Sequence, residues 1–190
     1  MFADYSWSEL GSIFAMQGFA GLVLFSVLVL MALGLAIIFG QMGVINMAHG
    51  EFMILGAYVT YLVAGFFEAF LPALVPISFF VAVVLAFFAS GALGVAVEMS
   101  LIRFLYKRPL DTLLATWGLS LILQQTYRTI FGAREVGVTL PSWMMGSLPL
   151  TDIIEIPING LIVMAITLLI TLGVYLIMFR SRLGAQTRAV

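Results

Sequence analysis

Cysteine is absent from the 190 residues, which removes disulfide frameworks, thiolate metal sites and cysteine nucleophiles at once. Charge is nearly as scarce. Asp, Glu, Lys and Arg make up 9% of the chain, where soluble domains carry about 25%. Histidine occurs once, and zinc takes three or four ligands, a set that one histidine and no cysteine do not fill. The sequence holds no nucleophile–base pair, no phosphate-binding glycine loop and no metal set, so an enzyme reading rests on nothing beyond scattered serines. A net charge of −1 implies no nucleic-acid partner. The first residues carry Asp4 and Glu9 but no Lys or Arg, and the first apolar run is too long for a secretory signal peptide.

What remains is apolar: 63% of residues are hydrophobic and the mean hydropathy is +1.19. No soluble arrangement of core and surface fits such a chain. The expectation is an all-α, polytopic membrane protein with about five transmembrane helices in one domain over residues 1–190.

Residues 18–39 carry no charge and, at 1.5 Å per residue, reach about 33 Å, enough for a hydrocarbon core of about 30 Å. Tyr5 and Trp7 ahead of them suit a membrane interface. The further helices are expected at about 50–67, 77–101, 112–130 and 158–179. In the third, Ala86, Ser90, Gly94 and Glu98 recur every four residues, a row that lets another helix approach closely. Glu98 is expected to pair with a nearby Arg. Asp111 is placed to cap the fourth helix. That helix is the most polar, with Thr112, Thr116, Ser120, Gln124 and Arg128 at strict four-residue spacing and Trp117 and Gln125 beside them. The 131–157 connection lacks helical periodicity and contains Pro141, Pro149 and Pro157. Its length marks it as functional or disordered, and Trp143-Met144-Met145 suits a part resting on a membrane or a partner.

Six of the eight Lys and Arg follow the third helix (103, 107, 108) or the fifth (180, 182, 188). Basic residues favour the cytoplasmic side. With five crossings both groups lie there, and the N-terminus and the 131–157 connection face outward.

The polar interruption runs from Gly40 to Phe52, and Glu51 is the sole carboxylate between Leu10 and Phe67. Asn46, His49 and Glu51 sit together where the second helix begins. Discontinuous helices in transporters present such groups to a site within the membrane. A turn at the membrane face, with Asn46 as cap and Glu51 on the helix dipole, would use the same residues, as would coupling to a partner. The 112–128 stripe has two readings as well: the lining of a water-filled path, or hydrogen bonds between helices. The candidate substrate path is Asn46, His49, Glu51, Thr116, Ser120 and Gln124.

The run Gly43-Val-Ile-Asn-Met-Ala-His-Gly-Glu51 resembles the signature of the membrane permeases of ABC importers in the branched-chain amino acid family. Arg182-Leu-Gly-Ala-Gln-Thr-Arg-Ala-Val190 resembles the segment ahead of their ATPase-contacting loop. Arg108-Pro-Leu-Asp-Thr-Leu-Leu-Ala-Thr-Trp-Gly-Leu-Ser-Leu-Ile-Leu-Gln-Gln125, Arg134-Glu-Val and Pro141-Ser-Trp-Met144 are closer to the urea-importing branch. The resemblance covers roughly residues 34–145 and the last ten. It implies a permease subunit of an ATP-driven urea importer in the bacterial cytoplasmic membrane. Its implied partners are a second permease subunit, two ATP-binding subunits that carry the ATP, and an external substrate-binding protein. This chain itself holds no cofactor. The same machine for branched-chain amino acids is one alternative, and a passive polar-solute channel another. Family members continue well past position 190, so five helices are expected to be the first half of a two-repeat permease, as a truncation or fragment.

Overall fold

In the computed structural model, residues 6–43, 45–106, 108–151 and 154–181 are described. Five long helices dominate: α1 (Trp7–Met42), α2 (His49–Phe70), α3 (Val75–Ser100), α4 (Pro109–Phe131) and α5 (Ile158–Arg180). Short 3-10 turns precede and follow α3, at Pro72–Leu74 and Ile102–Phe104. The all-α polytopic class stands, with its boundaries and one connection corrected.

Helix α1 starts eleven residues before the expected Gly18, because Ser6 and Glu9 cap it reciprocally. The Ser6 amide donates to Glu9 Oε2 at 2.7 Å and the Glu9 amide to Ser6 Oγ at 3.3 Å, so two orphan donors of the first turn are satisfied together. The helix ends where Gly43 adopts φ +63° and its amide bonds the Phe39 carbonyl at 2.9 Å. Only a residue without Cβ takes that conformation cheaply.

Among the described residues, four helical segments are long and apolar enough to cross a bilayer: Glu9–Gly40, His49–Phe70, Pro72–Phe104 and Ile158–Arg180. Helix α4 has the length, about 34 Å for its 23 residues, but its polar stripe keeps it out of that set. Large apolar side chains such as Leu22, Phe25, Phe87 and Leu168 face outward, as a lipid-solvated surface requires.

The chain divides into two compact units, Met1–Gly34 with Ser142–Val190, and Leu35–Pro141. In the first, α5 meets α1 through small residues. A Cβ on Gly160 would lie 2.8 Å from Phe19 Cε1 and from Val23 Cγ2, so the contact is made on glycine. Thr167 Oγ1 donates to the Val163 carbonyl at 2.8 Å and reaches the Ser26 carbonyl at 3.5 Å.

The connection before α5 contains an antiparallel hairpin, β1 (Ser147–Thr151) and β2 (Ile154–Pro157), which periodicity did not foresee. Ser147 faces Pro157 and Pro149 faces Glu155, with an irregularity between Pro149 and Thr151. Both prolines are tolerated because a two-stranded ribbon has only edges. Ser147 Oγ donates to Glu155 Oε2 at 2.7 Å. In the Trp143-Met144-Met145 cluster, Met144 is buried, while Trp143 and Met145 are exposed.

In the second unit α2 and α3 pack antiparallel on the expected row of small residues. A Cβ on Gly56 would lie 3.9 Å from Ala86 Cβ, and Ser90 Oγ donates to the Phe52 carbonyl at 3.3 Å. Among the described residues Glu98 pairs with no arginine. Its Oε1 accepts from Tyr106 Oη at 3.1 Å. The Tyr106 phenol is pushed above its ordinary value, by burial first and by this carboxylate second.

Candidate functional site

Helix α2 begins at a joint, and the joint is tied down on both sides. Asn46 Oδ1 accepts from the Ala48 amide at 2.9 Å, a local turn in which a short polar side chain replaces a backbone partner. Ala48, not Asn46, is therefore the residue preceding the helix, and no side chain caps it directly. One residue on from Asn46, the Met47 amide donates to Thr116 Oγ1 on α4 at 3.1 Å.

Glu51 lies in the first turn of α2 and is only 5% exposed. Its Oε1 accepts from Ser120 Oγ at 3.0 Å and from Gln124 Nε2 at 2.7 Å. Gln124 Nε2 also reaches Ser120 Oγ at 3.2 Å. The Glu51 carbonyl accepts from Tyr127 Oη at 3.1 Å. Oε2 is buried and has no donor among the described residues.

Met47–Thr116 and Glu51–Ser120 share a sequence separation of 69, so α2 and α4 run parallel in fixed register. Further along, the Tyr58 ring stacks on Phe131 with centroids 3.9 Å apart and meets Tyr127 at 5.4 Å. The polar stripe of α4 is thus the surface onto which the start of α2 is clamped, with aromatic packing closing the far end.

Of the six candidate residues, five are brought together: Asn46, Thr116, Glu51, Ser120 and Gln124. Asn46, Thr116 and Ser120 are buried, and Gln124 is half-buried. His49 is set apart. It lines a cavity of about 480 Å³ together with Asn46, Phe52, Ser90 and Glu98. Two residues along a helix turn about 200°, so His49 and Glu51 face opposite sides of α2.

Thr112, also fully buried, donates back to the carbonyls of Leu105 at 2.9 Å and Arg108 at 3.0 Å. Arg128 is exposed. Asp111 makes no cap. It sits 3.6 Å from Arg108 in an exposed pair, while Pro109 opens the helix.

Tyr127 was missed. Counting in fours from Thr112 steps over it to Arg128, yet a residue three beyond Gln124 shares the face. Val44, Lys107 and the run from Arg182 to Val190, with Arg188, lie outside the described residues.

Residues 18–190 match the family described as "Branched-chain amino acid transport system / permease component". The chain is 27% identical over 173 residues to the high-affinity branched-chain amino acid transport system permease protein BraD of Pseudomonas aeruginosa, covering 89% of this chain and 56% of that protein. It is 29% identical over 190 residues to the permease proteins LivH of Salmonella typhimurium and Escherichia coli, covering 93% of this chain and 58% of theirs. The chain therefore spans just over half the length of these curated relatives. No solved structure matches it.

Proposed function

The chain belongs to the family of permease components of branched-chain amino acid transport systems, and from that premise we propose that it is part of the membrane-spanning subunit of an ATP-driven importer of branched-chain amino acids. The observation that carries this reading is the family match, which runs through residues 18–190 and so takes in the α2 joint and the whole of α4. The relatives' names support amino acids over urea as the solute.

In this proposal a second permease subunit completes the path, two ATP-binding subunits drive it, and an external binding protein delivers the solute. The protein sits in the bacterial cytoplasmic membrane. Arg103, Arg108 and Arg180 favour the cytoplasmic face, which puts the N-terminus and the hairpin-bearing connection outside.

Within the path, Glu51, Ser120 and Gln124 form the polar point that a solute meets. Asn46 and Thr116 hold the joint beside it, and His49 belongs to the separate cavity that Glu98 also lines. Transporters built on interrupted helices place polar groups and helix ends in this way.

Urea is kept as a second solute, because the Arg108–Gln125 run resembles the urea-importing branch. Urea offers four N–H donors and one acceptor, and the Glu51 carboxylate with its hydroxyl and amide neighbours suits such donors.

The test is competition. Labelled urea and labelled leucine are offered separately to vesicles that hold the full-length protein with its partners, each with the other compound in excess. Leucine uptake that urea leaves untouched supports the amino acid reading. Urea uptake that leucine leaves untouched replaces it with the second.

A further inference from the structure

Resting on the importer reading above, the geometry points to Glu51 Oε2 as the acceptor that receives an N–H group of the transported solute. Two observations meet at this atom. The carboxylate is held rigid, since Oε1 takes donors from Ser120 and Gln124 at 3.0 and 2.7 Å and the carbonyl of the same residue takes Tyr127 at 3.1 Å. Yet Oε2 is buried with no donor among the described residues. Buried polar atoms are nearly always paired, and a carboxylate oxygen is among the costliest to leave bare. The other such atom among the described residues is Thr171 Oγ1, a neutral hydroxyl on α5 for which the cost is far smaller.

Among the described residues no Lys or Arg pairs with Glu51; the ion pair present is Arg108–Asp111. An acceptor fixed in advance by donors from neighbouring turns of α4 binds without reorganising at the moment of contact. It lies in the first turn of α2, directly beside the joint. In this conformation Oε2 is closed to solvent.

The chemistry it selects is an N–H donor. The ammonium of an amino acid and the amide of urea both supply one, and a 2-oxo acid of the same carbon skeleton does not.

The test uses the full-length complex with all partners in proteoliposomes. Glu51→Gln keeps an oxygen for Ser120 and Gln124 and puts an NH2 donor where Oε2 stood. Uptake at low solute is expected to fall about tenfold or more, the loss of one hydrogen bond to a charged group, while partner retention stays unchanged. Labelled leucine and labelled urea are run as separate arms, and the arm that falls identifies the source of the N–H. On the wild-type complex, isotope-edited infrared spectroscopy of glutamate carboxylates is expected to shift with the transported solute and not with its 2-oxo analogue. This second measurement decides the matter if the Gln variant does not assemble.

Wild-type uptake with an unaffected Gln variant overturns this inference alone, as does an infrared band that ignores the solute. No ATP-driven uptake of either solute by the wild-type complex overturns the importer reading, and this inference with it.

Discussion

Gln124→Leu isolates the strongest bond in the clamp between α2 and α4. Its amide donates to Glu51 Oε1 at 2.7 Å, a short distance for an N–H donor and one typical of a charged acceptor. Hydrogen bonds to charged groups contribute about 1.5–3 kcal/mol in proteins, whereas an average interhelical hydrogen bond in a membrane bundle contributes about 0.6 kcal/mol. Ser120 still donates to the same oxygen at 3.0 Å after the substitution, so the carboxylate is not stripped entirely. The expected loss is about 2 kcal/mol.

In a Glu51→Leu background Gln124 has no carboxylate to hold, and Gln124→Leu should then cost nothing or stabilise slightly. The double-mutant cycle therefore predicts a coupling of about 2 kcal/mol. Gln125→Leu is the control: it is the adjacent residue, exposed and without a bond to Glu51, and should stay within about 0.5 kcal/mol. Reversible unfolding in mixed detergent micelles, followed by circular dichroism, reads all four corners. Additive losses, or a Gln125 effect as large as that of Gln124, would show that Oε1 is not what holds the two helices.

Other substitutions test the remaining contacts. Gly160→Leu forces a side chain into the space of Phe19 and Val23 and should cost at least about 1–3 kcal/mol in a thermal melt, the usual penalty for overpacking. Gly56→Ala meets Ala86 only at ordinary contact distance, 3.9 Å, and should be neutral or slightly stabilising in the same melt. Gly43→Ala strains a φ of +63° and should cost about 1 kcal/mol, visible as a lower unfolding midpoint. Tyr106 should ionise above its ordinary value in an ultraviolet titration, since burial and Glu98 both disfavour the phenolate. The stability it contributes is complete below the unfolded-state value and is lost as pH rises through the folded one, and Tyr106→Phe should abolish that alkaline step.

The helices were legible because long uncharged runs leave a membrane chain few alternatives, and α1, α2, α3 and α5 fall where those runs lie. The start of α1 is encoded in the Ser6–Glu9 spacing, ahead of the uncharged run. Alternation in Ile154-Glu-Ile-Pro157 carried the signal for β2. Prolines at 149 and 157 masked it, since their meaning depends on which edge of a strand they occupy.

At the site, four-residue spacing correctly gathered Thr116, Ser120 and Gln124 on one face. Proximity in sequence failed for His49, because adjacency along a helix is not adjacency in space. That Glu98 bonds Tyr106 follows from where the chain turns after α3, which no helical period encodes, whereas the Arg108–Asp111 pair is an i,i+3 contact that spacing alone could have supplied.

Coupling to ATP tests the central claim most directly. Labelled leucine uptake is measured in vesicles containing the full-length protein, its permease and ATPase partners and its binding protein, with ATP and with a non-hydrolysable analogue. An importer permease predicts accumulation against a gradient with ATP and none with the analogue or without the binding protein. Flux that equilibrates leucine at the same rate in every condition would contradict it, and the chain would then be part of a passive channel.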